Sequence, residues 1–268
     1  MIRGMYAIIV LDLKRAMLDR ARLIAGLAQP MLYLFVLGAG LGGNSAMAAG
    51  YKPFIFPGVI GLTLLFTAVF CAITIVFDRQ IGFFKAVLVA PLPRAAVACG
   101  KIASGGLQAF AQALLILPFA PLAGVHFGFA AFCELVVAML GAGMVFSAMG
   151  VAVAARFTST TVFPIVSNAV LLPMFFLSGA LYPLQKAPHW LFIAAHFDPV
   201  AYAVDLMRGA LLGHRELPPG LTRFAFDPWF SVAALVAFIV VLGALSVRIF
   251  NRGEDDSSLG AAKIPWKR

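Results

Sequence analysis

Residues 54–77 read FIFPGVIGLTLLFTAVFCAITIVF, a run that contains no charged residue and ends at Asp78-Arg79. An α-helix needs roughly 20 consecutive apolar residues to cross the hydrocarbon core of a bilayer. The run is long enough to do so, and an acid and a base follow it at once. The sequence therefore predicts a membrane-spanning helix from Phe54 to Phe77.

The composition of the whole chain extends this interpretation. Apolar residues make up 62% of the 268 residues and charged residues only 12%, whereas about 25% of the residues in a typical soluble domain are charged. A soluble protein of this composition would expose a large apolar surface. A soluble enzyme, a disordered chain and a fibrous chain are all excluded, which leaves an integral membrane protein.

Five further apolar runs are long enough to cross the bilayer. The fold class predicted is an all-α integral membrane protein with six transmembrane helices. Residues 1–22 precede them as an amphipathic interfacial helix, whose polar stripe, containing Asp12 and Arg15, is expected to face the headgroups. The six predicted spans are Leu23–Leu41, Phe54–Phe77, Ile102–Gly124, Phe129–Ala155, Val162–Leu181 and Trp229–Phe250.

The segment between the fifth and sixth spans is apolar but does not predict a seventh. Asp198, Asp205 and Arg208 would cost ~8–10 kcal/mol together near a helix centre. Asp198-Pro199 also divides the segment into two pieces, Trp190–Ala195 and Val200–Leu212, each too short to cross. We expect two short re-entrant helices on the outer side, packed against other helices.

Charge distribution orients the bundle. With both termini cytoplasmic, 15 of the 20 Lys and Arg residues lie inside, as the positive-inside rule requires. The chain is predicted to form a single transmembrane domain, with 1–22 as the interfacial helix, 23–250 as the six-span bundle and 251–268 as a cytoplasmic tail. Ala46-Met47-Ala48 resembles a signal-cleavage site, but the apolar run before it is too long and starts too late for a signal peptide.

The loop after the second span reads DRQIGFFKAVLVAPLPR over residues 78–94. Its acid and base at the membrane exit precede a short predicted helix, which Pro91 and Pro93 end. Such a helix either docks into a groove of a soluble partner or lies back on lipid, and the residues leave both interpretations open. The apolar residues expected on its surface are Phe83, Phe84, Val87 and Leu88.

No catalytic motif is recognised. Gly100-Lys101 resembles the end of a Walker A loop, but Ala95 stands where its first glycine is needed and Ile102 where Ser or Thr is needed. No histidine forms an HExxH pair and no serine a nucleophile elbow, and the three cysteines lack metal-ligand spacing. The chain is therefore not expected to be an enzyme or to hold a metal ion, and ATP-driven work would need another subunit.

A few polar residues lie inside the predicted spans, where ionisable groups suggest function but amides more often bond to a neighbouring helix. Gln108 and Gln112 share one face of the third span, since they are four residues apart. Asn168 lies in the fifth span and Glu134 near the outer end of the fourth. These four residues are candidates for a substrate pathway.

Two segments carry a resemblance to a known family. The loop at 78–85 and 90–94 resembles the pattern E-R-E-x-G-T-x-E-x-L…S-P-x-x-R. SGALYPL at 178–184, PHW at 188–190 and DPVAYAVDLMR at 198–208 resemble S-G-x-x-[FY]-P-x…P-x-W…N-P-x-x-[YH]-x-x-[DE]-x-x-R. These are patterns of the ABC-2 type permeases, membrane subunits of ABC exporters, in the drug-resistance and lipo-oligosaccharide branch. Asp198 stands where the pattern has asparagine.

The resemblance implies a homodimer of this chain with two copies of an ABC ATPase subunit in the bacterial inner membrane. ATP and Mg²⁺ would be held by the ATPase subunit, with no cofactor on this chain, and lipid but no nucleic acid is an expected partner. The resemblance implies a coupling helix at Arg79–Leu92, a connecting helix at Arg3–Arg22 and an outer cap over the pathway. The coupling residues would be Asp78, Arg79, Gly82, Phe83, Phe84, Lys85, Val87 and Leu88. The residues of the outer cap would be Tyr182, Trp190, Asp198, Asp205 and Arg208.

The function implied is export of an amphipathic or lipid-linked molecule, of drug, glycolipid or polysaccharide type. The alternative is a membrane scaffold or sensor whose partner ATPase moves no substrate. The sequence leaves both the identity of the substrate and a heterodimer of permeases open. A secondary transporter is disfavoured, because no internal repeat is visible.

Overall fold

The computed structural model describes residues 2–40, 46–80, 94–157, 159–213 and 225–261. Across these ranges the regular structure is helical, with short 3₁₀ turns at Leu117–Phe119 and Leu184–Lys186. The helices, numbered in chain order, are α1 Ile2–Leu18, α2 Arg20–Gly40, α3 Ala46–Cys71, α4 Ile73–Gln80, α5 Arg94–Leu114, α6 Phe129–Ala154, α7 Val162–Leu177, α8 His189–Ala195, α9 Pro199–Leu212 and α10 Pro228–Ala261.

Each predicted span overlaps an apolar helix, as expected of a helical, multi-pass membrane protein, but the predicted number of six spans is not confirmed. Within the described ranges, four helical stretches are long and apolar enough to cross a bilayer, and two apolar helices are shorter. The long stretches are Tyr51–Gln80, Ala95–Phe119, Phe129–Ala154 and Pro228–Ile249. The shorter helices are Leu23–Val36 and Val162–Leu177.

Several boundaries differ from the prediction, and three of the differences change the course of a span. The second span is broken at Ala72, whose N–H bonds to the carbonyl of Val69 at 3.1 Å, so that α3 and α4 are separate helices. In the third, α5 ends at Leu114, and the chain continues through 3₁₀ and turn geometry, where two prolines remove backbone donors. In the sixth, α10 continues past the predicted end at Phe250 to Ala261.

The two short helices predicted between the fifth and sixth spans are present as α8 and α9, with boundaries within one residue of those expected. α9 is the more deeply placed of the two, because 13 of its 14 residues are buried. It lies among α3, α6 and α10. Buried helices of this length satisfy their backbone internally and pack against protein on all sides, as a re-entrant segment must.

Small residues bring the central helices close together. A Cβ on Gly143 of α6 would lie 2.9 Å from the carbonyl oxygen of Gly106 on α5, and one on Gly150 would lie 2.7 Å from the Cα of Val69 on α3. In lipid, where there is no hydrophobic driving force between helices, close backbone approach is a main source of packing energy. In an apolar 18-residue window of Tyr51–Gln80, 72% is buried, whereas in the corresponding window of Pro228–Ile249 only 17% is buried, so this helix lies at the periphery of the bundle.

The N-terminal helix α1 packs along α5 rather than resting on lipid alone. Ile8 lies against Gly100, and the outer side of α1 exposes Tyr6 and Met17. Asp12, expected to face headgroups, is instead buried against α5. The prediction for Asp12 is wrong because its carboxylate bonds to the buried Lys101 of α5.

Candidate functional site

Arg208 connects the outer cap, here α8, α9 and the turn at residues 178–188, to the rest of the bundle. Its Nη2 donates to the carbonyl oxygens of Gly179 at 3.0 Å and Ala180 at 3.5 Å. Its guanidinium also lies 3.9 Å from the ring centroid of Phe54 on α3. Arg208 is only 3% exposed, and a desolvated cation over a ring gains from the ring quadrupole. The residue therefore links α9, the turn after α7 and the start of α3.

Asp205, one turn earlier on α9, connects the cap to the last helix. Its carboxylate accepts hydrogen bonds from the N–H groups of Ala225 at 2.6 Å and Phe226 at 3.4 Å, and from the Ser231 hydroxyl at 3.4 Å. The two charges of α9 thus have different partners. Asp205 orients the start of α10, while Arg208 supports the turn after α7.

Asp198 caps the N-terminus of α9. Its Oδ1 accepts the N–H of Val200 at 2.8 Å, as N-cap side chains do. Its Oδ2 is buried and has no hydrogen-bond partner in the part of the chain that the structure describes. Asp198 lies outside the membrane-spanning helices, and its burial raises its pKa to about 7. Burial raises the pKa of Asp205 only to about 6, because its hydrogen bonds and Arg208 favour the charged form.

The remaining residues of the predicted cap are nearer the surface. The Tyr182 hydroxyl donates to the carbonyl of Phe176 at 2.7 Å and so closes the turn onto α7. Trp190 on α8 is 65% exposed, which suits an aromatic residue at the membrane interface. The structure thus brings Asp198, Asp205 and Arg208 into one buried segment and leaves Trp190 outside it.

A second polar cluster lies at the opposite end of the bundle. Lys101 on α5 bonds to Asp12 on α1 at 3.0 Å and to Asp78 on α4 at 3.1 Å. Arg15 on α1 lies 3.9 Å from Asp78, and the Ser104 hydroxyl donates to Asp12 at 3.0 Å. We call Asp12, Arg15, Asp78 and Lys101 the inner charge cluster. Among the described residues, no three His, Cys, Asp or Glu side chains could hold a metal ion.

Sequence reasoning did not predict the inner charge cluster, although a signal was present. Lys101 and Ser104 are three residues apart, and Thr74 and Asp78 are four apart, so each pair shares one helix face. Polar pairs at such spacing beside an apolar span indicate a buried polar face. Arg79, another predicted coupling residue, also points into the subunit, and its Nη1 donates to the carbonyl of Ala155 at 2.9 Å.

The other predicted coupling residues fall within 81–93 and lie outside the described residues. These are Gly82, Phe83, Phe84, Lys85, Val87 and Leu88. The last described residue before them is Gln80, at the end of α4. The inner charge cluster is therefore immediately adjacent in sequence to the predicted coupling helix.

Gln108 and Gln112 line apolar cavities between α5 and its neighbours. A cavity of about 240 Å³ contains both amides and is walled by α1, α2, α3 and α5. A second, of about 230 Å³, lies between α2 and α3 and also contacts Gln112. The Gln112 amide lies against Gly26 and donates to the carbonyl of Leu23 at 3.3 Å. Gln108 accepts from the Cys71 thiol at 3.1 Å.

Glu134 and Asn168 are placed elsewhere. Glu134 is exposed in a cavity of about 580 Å³ between α6, α9 and α10, which Trp229 also lines. Asn168 is exposed on α7, away from the buried stripe of that helix. The structure therefore places the two glutamines in one region and does not bring Glu134 or Asn168 to them.

Comparison with known proteins identifies the family. The model of the ABC-2 type transporter family matches residues 4–212. This range includes the inner charge cluster and the residues Asp198, Asp205 and Arg208, but not the partners of Asp205 at the start of α10. Nodulation protein J of Rhizobium leguminosarum bv. trifolii is 30% identical over 87% of this chain and 86% of its own length. Nodulation protein J of R. leguminosarum bv. viciae is 32% identical over 72% of this chain and 76% of its own length, and that of Neorhizobium galegae is 27% identical over 87% and 86%. The chain belongs to the ABC-2 type transporter family, as a multi-pass helical membrane permease.

Proposed function

We propose that the chain is the membrane subunit of an ATP-driven exporter that moves an amphipathic or lipid-linked substrate, of drug, glycolipid or polysaccharide type, out of the cytoplasm. The family match over residues 4–212 carries the proposal. ATP and Mg²⁺ are assigned to a separate ABC ATPase subunit, present in two copies, because the Walker-A-like stretch of this chain lacks the residues that hold phosphate and magnesium. No cofactor is assigned to this chain.

The proposed topology has six spans, with both termini on the cytoplasmic side of a bacterial inner membrane. The excess of Lys and Arg at the end that carries the inner charge cluster supports this orientation. α7 has 16 residues, about 24 Å of helix at 1.5 Å per residue. A bilayer accommodates a short span by thinning locally or by oligomerisation of the protein, at modest cost. The outer cap then faces the outside of the cell.

The second subunit of the proposed homodimer is assigned to the open face of α7. The buried side chains of this helix are Phe163, Ser167, Leu171 and Phe175, which form one stripe. The remaining surface carries exposed apolar side chains and the amide of Asn168. An amide facing hydrocarbon is unfavourable unless it bonds to another helix, so a second copy packed against α7 would satisfy Asn168. Substrate would then pass along the seam between the subunits.

Transport follows from differential contact of the ATPase subunits with this chain in their two nucleotide states. Closure of the ATPase subunits would displace the coupling helix at residues 79–92 and, beside it, the connecting helix α1. The bundles would tilt and open the pathway beneath the outer cap. Gln108, Gln112, Asn168 and Glu134 are proposed contacts of the substrate along this route.

The experiment that tests the proposal is purification of the tagged chain from its native host in mild detergent, with the co-purifying chains identified by mass spectrometry. A stoichiometric chain with a Walker A motif is the expected result. The variant Phe83→Asp with Phe84→Asp should lose that chain while still inserting in the membrane. Phe197→Asp is the matched control, because Phe197 is 79% exposed in the outer cap. Recovery of the wild-type chain alone would overturn the proposal.

The alternative role as a scaffold or sensor is separated from export by a transport assay. The complex is reconstituted in proteoliposomes, and candidate substrates are screened by their stimulation of ATP hydrolysis. Export requires that at least one stimulating compound also accumulates on the opposite side of the membrane. Stimulation without accumulation would favour the scaffold or sensor role.

A further inference from the structure

The inner charge cluster joins three separate helices through one ammonium group. Nζ of Lys101 donates to Asp12 Oδ1 at 3.1 Å, to Asp78 Oδ2 at 3.1 Å and to Thr74 Oγ1 at 3.4 Å. An ammonium group has three donors. All three are therefore directed from α5 toward α1 and α4, which have no covalent connection to each other near this point.

Stability alone does not account for this arrangement. Asp12, Asp78 and Lys101 are each at most 8% exposed, and removing charges from water costs about as much as their mutual attraction returns. Apolar side chains of similar volume would hold these helices together at least as well. What charged, directional contacts add is one defined position of α1 relative to α4 and α5, because a shift of any helix separates a buried charge from its partner.

The cluster lies where force from the ATPase subunit would enter. Asp78 is two residues before the end of α4 at Gln80, and the proposed coupling helix follows directly. Arg79 adds a contact with the carbonyl of Ala155, just beyond the end of α6. A displacement of residues 81–93 is therefore passed first to α4 and then, through Lys101, to α1 and α5.

We propose that Lys101 is a positioning residue for transport, which makes α1, α4 and the first turns of α5 move as one body when the ATPase subunit displaces residues 81–93. This inference rests on the proposed function, since it requires an ATPase subunit at that stretch. Asp78 then acts inside the subunit, as a link in transmission. The arrangement also explains why α1 packs on α5 through a buried acid.

The position of α1 relative to α5 can be measured from the rate of disulfide cross-linking between them, in the permease without the ATPase subunit. A Cβ on Gly100 would lie 3.3 Å from the Cβ of Ile8, slightly less than the roughly 3.5–4.5 Å between the Cβ atoms of a disulfide, so a small relaxation brings the pair into range. Ile8→Cys with Gly100→Cys should therefore form a disulfide under copper phenanthroline. The background carries Cys99→Ser, because Cys99 is exposed beside Gly100.

The contact between α1 and α5 is tested with the neutral triple variant Asp12→Asn, Asp78→Asn, Lys101→Met. This variant leaves no unpaired buried charge from these three residues and is therefore expected to fold. We expect it to cross-link at least five-fold more slowly than the unchanged cluster. Lys14→Met, which removes an exposed lysine of α1, should cross-link at the original rate. Equal rates in the triple variant would overturn the proposal that these charges position α1.

Coupling is then measured in the complex with the ATPase subunit in proteoliposomes, as the change in ATP hydrolysis that the permease causes. The triple variant should retain the ATPase subunit, but the change in ATP hydrolysis that it causes should be at least five-fold smaller than that caused by the wild-type permease. Lys14→Met should cause the same change as the wild type. Wild-type coupling in the triple variant would overturn the role of Lys101 in transmission.

Reversible rescue separates positioning from a role in folding. In the Asp12→Asn variant, the disulfide between positions 8 and 100 should restore coupling on oxidation, and reduction should remove it again. An oxidised variant that stays uncoupled would contradict the proposal. If the wild-type chain carries no ATPase subunit, the proposed function fails, while the cross-linking rates still decide whether Lys101 joins the helices.

Discussion

Replacing Asp198 with asparagine is expected to stabilise the protein at alkaline pH. The carboxylate is 4% exposed and accepts one hydrogen bond, from Val200, while its Oδ2 is buried without a partner in the described chain. Burial raises the pKa of Asp198 from 3.8 to about 7. At about 1.4 kcal/mol per pKa unit, the ionised carboxylate therefore destabilises the folded state by ~4 kcal/mol. Asparagine caps a helix about as well and carries no charge.

The pH dependence gives the sign of the effect. Because the folded pKa of Asp198 lies above the unfolded one, the favourable contribution of its protonated form is complete below about pH 4 and is lost as pH rises through about 7. Roughly 2.5 kcal/mol of that loss falls between pH 5 and pH 8. The stability advantage of Asp198→Asn should widen by this amount between the two values.

The assay is reversible unfolding of the purified protein in mixed detergent and SDS micelles at pH 5 and pH 8. Asp227→Asn is the matched control, because Asp227 also precedes a proline and accepts an N–H, that of Trp229 at 2.9 Å, but is exposed. The control variant should not gain stability with pH. An Asp198→Asn variant whose advantage is equal at both pH values, or which is less stable at pH 8, would refute the reasoning from burial.

Three further predictions concern packing and topology. Arg208→Met should lower the free energy of unfolding by about 3 kcal/mol, since two carbonyls lose a charged donor and a ring contact is lost. The ATPase subunit should still co-purify with this variant. Loss of that subunit would place the segment on the cytoplasmic side of the membrane instead. Gly150→Ala should lower the free energy of unfolding by about 1–3 kcal/mol, because the added Cβ meets the Cα of Val69 at 2.7 Å. In the same unfolding assay, Gly141→Ala on the same helix should cause no loss, because nothing lies within 4 Å of its added Cβ. Lys186→Cys should react with a membrane-impermeant maleimide added outside intact cells, and labelling only in inverted vesicles would invert the topology.

Hydrophobic length and the position of charges were sufficient to predict most of the helices. Asp198-Pro199 is the clearest case, since an N-cap acid and a proline at the first helical position define the start of α9. The break at Ala72 could not be predicted in the same way. The residues around it, Cys71 and Ile73, are apolar and continue the pattern of the span, so the interruption depends on tertiary packing.

The inner charge cluster shows which contacts the sequence alone does not predict. Lys101 and Asp12 are separated by 89 positions, and Lys101 and Asp78 by 23. Periodicity indicates which residues share one helix face but not which helix that face meets. Periodicity therefore places Asp12 in a headgroup-facing stripe, although its carboxylate bonds to Lys101 on α5. The residues of the outer cap were easier to select, because their spacing within one segment carries a recognisable pattern.

The partners of α9 have a consequence for how the chain is made. Arg208 bonds to residues 179 and 180, which the ribosome has already synthesised, whereas the hydrogen-bond partners of Asp205 in the described chain, residues 225, 226 and 231, follow it. During synthesis, Asp205 therefore has the nearby charge of Arg208 but lacks these three hydrogen bonds until residues 225–231 are made. A chain that stops before residue 225 leaves the buried carboxylate of Asp205 without these three hydrogen bonds. Completion of the outer cap is thus tied to completion of the polypeptide.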